Sequence, residues 1–211
     1  MTPAGRACAH RSHGLAFPHT MSLSPPAPRK KLHNRSIHLE GFEREDGLFD
    51  IEARIVDTKT YAIDHNRRGI LEAGTAIHDM AVRLTIDTDK TVRNIEVETF
   101  SAPYLPCFEV ESAFKRLIGA SLVKGWRKSV EAAVGNVDGC THIKELLGPV
   151  ATVAFQTTSG GQKLLREVMA LPPDQVYKPY FIGKCKGWDE SGPAVKELLP
   201  IFYVPPGEKK K

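Results

Sequence analysis

Ala76-Ile77-His78-Asp79-Met80-Ala81-Val82-Arg83-Leu84-Thr85-Ile86 carries the cleanest alternation in the chain. Ala76, His78, Met80, Val82, Leu84 and Ile86 share one face of an extended segment. Asp79, Ala81, Arg83, Thr85 and Asp87 share the other. Period two with one apolar side is the mark of a half-buried strand, and it puts an imidazole, His78, on the side turned to the core.

Working outward, Asp87-Thr88-Asp89-Lys90 is a turn, and Val92 to Phe100, with Ile95 and Val97 in phase, returns as the second arm of a hairpin. Upstream, Phe49, Ile51, Ala53 and Ile55 alternate with Asp50, Glu52 and Arg54, which predicts another half-buried strand. The polar stretch from Thr58 to Gly74 between them reads as a surface loop with room for one short strand. Downstream of Pro103 the period changes. Phe108, Phe114, Leu117 and Ile118, then Leu122, Val123, Trp126, Val130 and Val134, predict two helices broken near Gly119. Ile143, Leu146, Leu147, Val150 and Ala154 predict a third, with Gly148-Pro149 as a point of kinking. Leu164 to Ala170 and Ala194 to Leu199 read as short helices, and the aromatic stretch Val176 to Ile182 as extended. Strands first and helices after argue for an α+β fold, an antiparallel sheet with helices packed on one face.

The chain has 211 residues, 41% of them hydrophobic and 26% charged, which suits a single globular core. Its formal net charge of +4 is unevenly placed. Residues 1–31 hold five Arg or Lys and no acid, and residues 205–211 hold three Lys and one Glu. The stretch between has 21 basic and 24 acidic residues, a net charge of −3, so no phosphate-tracking surface and no nucleic-acid partner are expected. The composition of 1–31 predicts a disordered segment, 32–204 a single α+β domain and 205–211 a disordered basic tail. Met21 is an alternative start. No run approaches eighteen apolar residues and no secretory signal is recognised, so membrane association is not expected. Cys8, Cys107, Cys140 and Cys185 are widely spaced and read as free thiols of a cytoplasmic protein.

Chemistry is suggested by Asp138-Gly139-Cys140-Thr141-His142 at the start of the third helix. A helix start stabilises a thiolate, and thiolate with imidazole suits zinc or iron. A lone cysteine there is more often a small buried residue, and a lone histidine in a strand's apolar phase is more often a satisfied core residue. Cys107, between Pro106 and Phe108, lies where strands give way to helices. Asp57, Asp64 and His65 offer an acid/base set, although carboxylates around a polar loop are usually solvated. No CxxC pair occurs, so the strong zinc signature is absent.

Asp57-Thr58-Lys59-Thr60-Tyr61, Ala76-Ile77-His78-Asp79-Met80, Gly125-Trp126 and Gly139-Cys140-Thr141-His142 together resemble a bacterial family known only as a domain of unknown function, over about residues 32 to 204. From Ile77 to Gln156 the order of elements is similar to that of iron-sulfur cluster assembly scaffold proteins of the NifU type, which implies a NifU/SufE-like fold. In that resemblance His78 takes the scaffold's Asp position, Ala76 its first Cys, Cys107 its second and Cys140 its third. The first Cys is thus replaced, Gly139 stands where the scaffold has a His, and His142 has no counterpart. The resemblance implies convergence of His78, Cys107 and Cys140 at one end of the sheet, with His142 as a natural fourth ligand. The expected centre is mononuclear, zinc or iron, acting on or sensing a small molecule, or else it holds an iron-sulfur cluster. Two alternatives stand beside it: a metal-free enzyme with Cys140 as nucleophile and His142 or His78 as base, and a non-catalytic module that binds a small molecule or partner protein over buried structural cysteines.

Overall fold

The structure is a computed structural model that describes residues 24–208. The expected disordered stretch therefore lies largely outside the described residues, as do the last three lysines of the tail. The chain divides into two units, Met1–Lys31 and Leu32–Lys211, and the second carries the fold. It runs β1 (His33–Glu43), β2 (Phe49–Lys59), β3 (Ile63–His65), β4 (Gly69–Leu71), β5 (Ala76–Ile86), β6 (Val92–Ser101), α1 (Trp126–Val134), α2 (Thr141–Thr158), α3 (Gln162–Ala170) and α4 (Pro193–Leu198). Short 3-10 segments occupy Leu105–Phe108, Val110–Leu117, Asn136–Asp138, Lys186–Trp188 and Pro200–Phe202. The class is α+β, as the sequence predicts.

Four strands form one antiparallel sheet in the order β1-β2-β5-β6, and β3 and β4 form a separate small hairpin in the β2–β5 connection. Register sorts the side chains into rows across the sheet. Gly41, Ile51, Leu84 and Ile95 make one, and Leu39, Ala53, Val82 and Val97 the next. Ile37, Ile55, Met80 and Thr99 make a third. The fourth row changes character to Arg35, Asp57 and His78. A bulge follows at once, between Asp57 and Thr58, so pairing loses its regular phase where the polar row begins.

Helix α2 lies over β1, β2 and β5 and buries Ile143, Leu146, Leu147, Val150 and Ala154. Those positions fall three or four apart on one stripe, and each large side chain so buried contributes about 2 kcal/mol. Its C-terminal end comes close enough to the sheet that a Cβ on Gly41 would stand 1.9 Å from Thr157 Oγ1. A side chain at position 41 would force Thr157 or the helix to shift, so glycine suits that approach. A second, smaller apolar cluster, Val168, Ile182, Val195 and Leu199, holds the C-terminal segments together.

Several expectations are corrected. The segment 105–117 is 3-10 rather than α-helical, and Gly119, at φ +89°, turns the chain into a stretch whose Ser121 bridges Thr91. Gly148-Pro149 lies inside α2, which runs on as helix from Thr141 to Thr158. Buried Trp126 donates from Nε1 to the Leu147 carbonyl at 2.9 Å and pins the helix just before the proline. Val176 to Ile182 forms turns and irregular chain rather than a strand. Edge strand β1 is missed altogether in the sequence, because its inward positions include His33, Arg35 and Gly41, which hide the alternation carried by Ile37 and Leu39.

Candidate metal centre

The polar row becomes a site because β2 keeps its phase one step past its apolar run. Ile51, Ala53 and Ile55 point to the core, and Asp57, two residues on, points the same way with its side chain only 2% exposed. A buried carboxylate costs several kcal/mol unless it is paired and hydrogen-bonded. Here four partners converge on it. From β1, Arg35 donates Nε to Oδ1 at 2.8 Å and Nη2 to Oδ2 at 2.7 Å, a bidentate fork. His33 Nε2 stands 3.2 Å from Oδ1. From β5, His78 Nδ1 stands 3.1 Å from Oδ2, and from the first turn of α2, His142 Nε2 stands 3.6 Å from the same oxygen.

The rings of His78 and His142 stack with centroids 3.8 Å apart and planes inclined by 28°. His142 is held at this height because α2 starts where it does. Gly139 passes so close to Val134 that a Cβ would lie 2.4 Å from the Val134 carbonyl oxygen, and Cys140 follows as the N-cap residue. Cys140 offers no side-chain cap; its Sγ lies 3.8 Å from His142 Nδ1, on the far side of the ring from Asp57. Glu145, one turn along α2, takes the remaining arm of Arg35, with Nη1 at 2.5 Å from Oε2.

Burial alone would raise the Asp57 pKa; the Arg35 fork, with His33 and His78, reverses this and holds the carboxyl down at about 2. His78 is pushed below the ordinary histidine value, first by burial and then by the neighbouring His142. His142 is likewise lowered by burial and by Arg35. The cluster sets two carboxylates, Asp57 and Glu145, around the one guanidinium of Arg35, with three imidazoles beside them.

Asp57, His78 and His142 are grouped closely enough to share an ion, since one donor atom from each of the three lies within 4.8 Å of the other two. An ion with bonds of about 2.1 Å sets neighbouring donors about 3.0 Å apart at right angles and about 3.4 Å apart at the tetrahedral angle. The two nitrogens stand 3.1 and 3.6 Å from the shared oxygen, the first within that range and the second slightly beyond it. The two side-chain rings are 18% and 21% exposed, so an ion there would keep positions open to solvent.

Of the four ligands expected from sequence, His78 and His142 belong to this group. Cys140 touches it through the far side of His142, and Cys107 packs against the apolar core; neither is a member of the three. Asp57, expected from sequence as part of an acid/base set beside a polar loop rather than as a ligand, is the third member; it lies within β2, one step beyond the 51, 53, 55 series. Asp64 and His65, its expected companions, lie in the β3–β4 hairpin. Asp79 points to the opposite face and makes a two-pronged pair with Arg54, both distances 2.7 Å.

Residues 33–156 match the family described as a protein of unknown function, DUF2889. The matched span runs from the first residue of β1 almost to the end of α2, and so contains every residue of the site. No curated protein and no solved structure matches the chain.

Proposed function

The chain belongs to the DUF2889 family, whose description assigns no activity, and we propose that its domain holds one divalent transition-metal ion on Asp57, His78 and His142. The observation that carries this is the convergence of two imidazole nitrogens on one buried, ionised carboxylate oxygen. Two nitrogens and one oxygen suit zinc or ferrous iron, and three protein ligands with open positions are the arrangement of catalytic rather than closed structural sites. In the metal-free protein an imidazole N–H donates to Asp57; ligation moves each proton to the other ring nitrogen, where Cys140 faces that of His142. A bound ion would supply Lewis-acid polarisation of a small molecule entering from the exposed side. An iron-sulfur cluster needs thiolates, and the three converging residues include none. The likeness to NifU-type scaffolds is kept in this proposal on one point, the use of a sheet end beside a helix start as the place for metal. Metal analysis and zinc titration of purified protein test the proposal: one ion per chain, lost in Asp57→Ala, supports it, and no binding above that variant rejects it.

A second reading rests on a specific chain of contacts. Cys140 Sγ lies 3.8 Å from His142 Nδ1, and His142 Nε2 lies 3.6 Å from Asp57 Oδ2, the order that nucleophile, base and orienting carboxylate would take. Selective alkylation of Cys140 at neutral pH that is lost in His142→Ala, in protein stripped of metal, would favour this reading.

A further inference from the structure

Asp57 already has a cation on it. The Arg35 fork occupies both carboxylate oxygens, and Oδ2, the oxygen the two histidines share, is one of them. A divalent ion at the three donors would share Asp57 Oδ2 with the guanidinium, on a carboxylate whose side chain is 2% exposed although Arg35 itself is 32% exposed. Like charges on one oxygen oppose each other, the more so where that oxygen is shielded from water. The same arginine also reaches Glu145, a half-exposed carboxylate on the first turns of α2, so the guanidinium has somewhere to go.

Resting on the metal reading above, we infer that Arg35 sets the affinity of the centre: it competes with the ion for Asp57 Oδ2 and yields by shifting its weight onto Glu145. Arg35 is then a positioning residue that keeps the carboxylate ionised and aimed when the ion is away. The cost is weaker binding of the ion itself. Glu145 is the counterpart that makes the exchange favourable, since it keeps the displaced guanidinium neutralised. The alternative role for Arg35, a hydrogen-bonding support that strengthens Asp57 as a ligand, predicts the opposite sign.

The test is zinc titration of the full chain by calorimetry, with thermal unfolding followed in parallel. Arg35→Gln should bind zinc more tightly than the wild type by about tenfold or more, as loss of a neighbouring like charge requires. Its metal-free form should melt lower than the wild type and gain more on adding zinc. Glu145→Gln, which leaves the fork on Asp57 intact, should bind several-fold more weakly. Arg35→Lys keeps the charge but cannot grip both oxygens, and should fall between wild type and Arg35→Gln. Zinc binding by the wild type that weakens in Arg35→Gln overturns the inference and leaves the metal centre standing. Absence of zinc binding in wild type and Arg35→Gln alike rejects the centre, and the inference with it. Should Arg35→Gln fail to fold, Glu145→Gln decides alone, and unchanged or tighter binding there counts against the inference.

Discussion

Asp57 stands directly across from His78 in the register of β2 and β5, with Oδ2 3.1 Å from Nδ1, and this pair ends the core face of the sheet. One row deeper, the same register positions hold Ile55 and Met80, both fully buried. The site is therefore a continuation of the core in polar residues, resting on the buried rows of the strands beneath it.

Arg35 and Asp57 form the ion pair at this end of the sheet, and removing one of them leaves the other uncompensated. Arg35→Ala should destabilise the metal-free protein by about 3 kcal/mol, because Asp57 keeps its charge and loses its fork. Asp57→Asn should cost less, since Arg35 still reaches Glu145. Chemical denaturation of both variants checks the order; equal costs would show that the fork contributes little.

The pH dependence of stability follows from the same groups. His78 and His142 have folded-state values lowered below 6.5, so the unfolded chain takes up protons first, and their contribution is complete above pH 6.5 and lost as pH falls beneath it. Asp57, held at about 2 against 3.8, contributes in full above pH 3.8 and loses that contribution as pH falls toward 2. The melting temperature of metal-free protein should thus decline gently below pH 6.5 and more steeply below pH 4. Asp57→Asn should lose much of the steep part, and melting curves across pH measure it.

At the other end of α2 the close approach at Gly41 makes a separate prediction. Gly41→Ala places a methyl against Thr157 and should cost about 1–3 kcal/mol by overpacking. Thr157→Gly should be mildly destabilising alone, yet should recover part of the loss in the double variant. Urea denaturation of the four-member cycle reads the coupling, and strict additivity would show that the helix simply shifts.

Trp126 offers a local test of how α2 is held. Trp126→Phe keeps most of the ring area and removes the donor to the Leu147 carbonyl, at a cost of about 1 kcal/mol. The same denaturation experiment shows whether that bond matters.

How much of this is legible in the sequence differs by element. The 76–86 alternation gives β5, its partner β6 and the inward phase of His78, because Met80, Val82, Leu84 and Ile86 on the same face are all apolar. The 143–154 spacing likewise gives α2, and with it His142 at a helix start. Edge strand β1 is illegible for a physical reason, since two of its inward residues, His33 and Arg35, belong to the polar site and so break the very pattern that marks a strand. Asp57 is obscured by the same effect. A buried charge looks like a loop residue until the partner that neutralises it is known, and Arg35 lies 22 residues away in sequence. Cys107 and Cys140 attract attention as residue types, whereas the grouping of donors depends on register, which favours the carboxylate.

Absorption of the cobalt-substituted protein tests the Asp57, His78 and His142 centre most directly. One equivalent of Co²⁺ should give visible d–d bands of a nitrogen and oxygen site that vanish in His78→Ala and His142→Ala and survive in Cys107→Ser and Cys140→Ser. An intense near-ultraviolet thiolate-to-cobalt band lost in either cysteine variant, or d–d bands indifferent to both histidines, would contradict it.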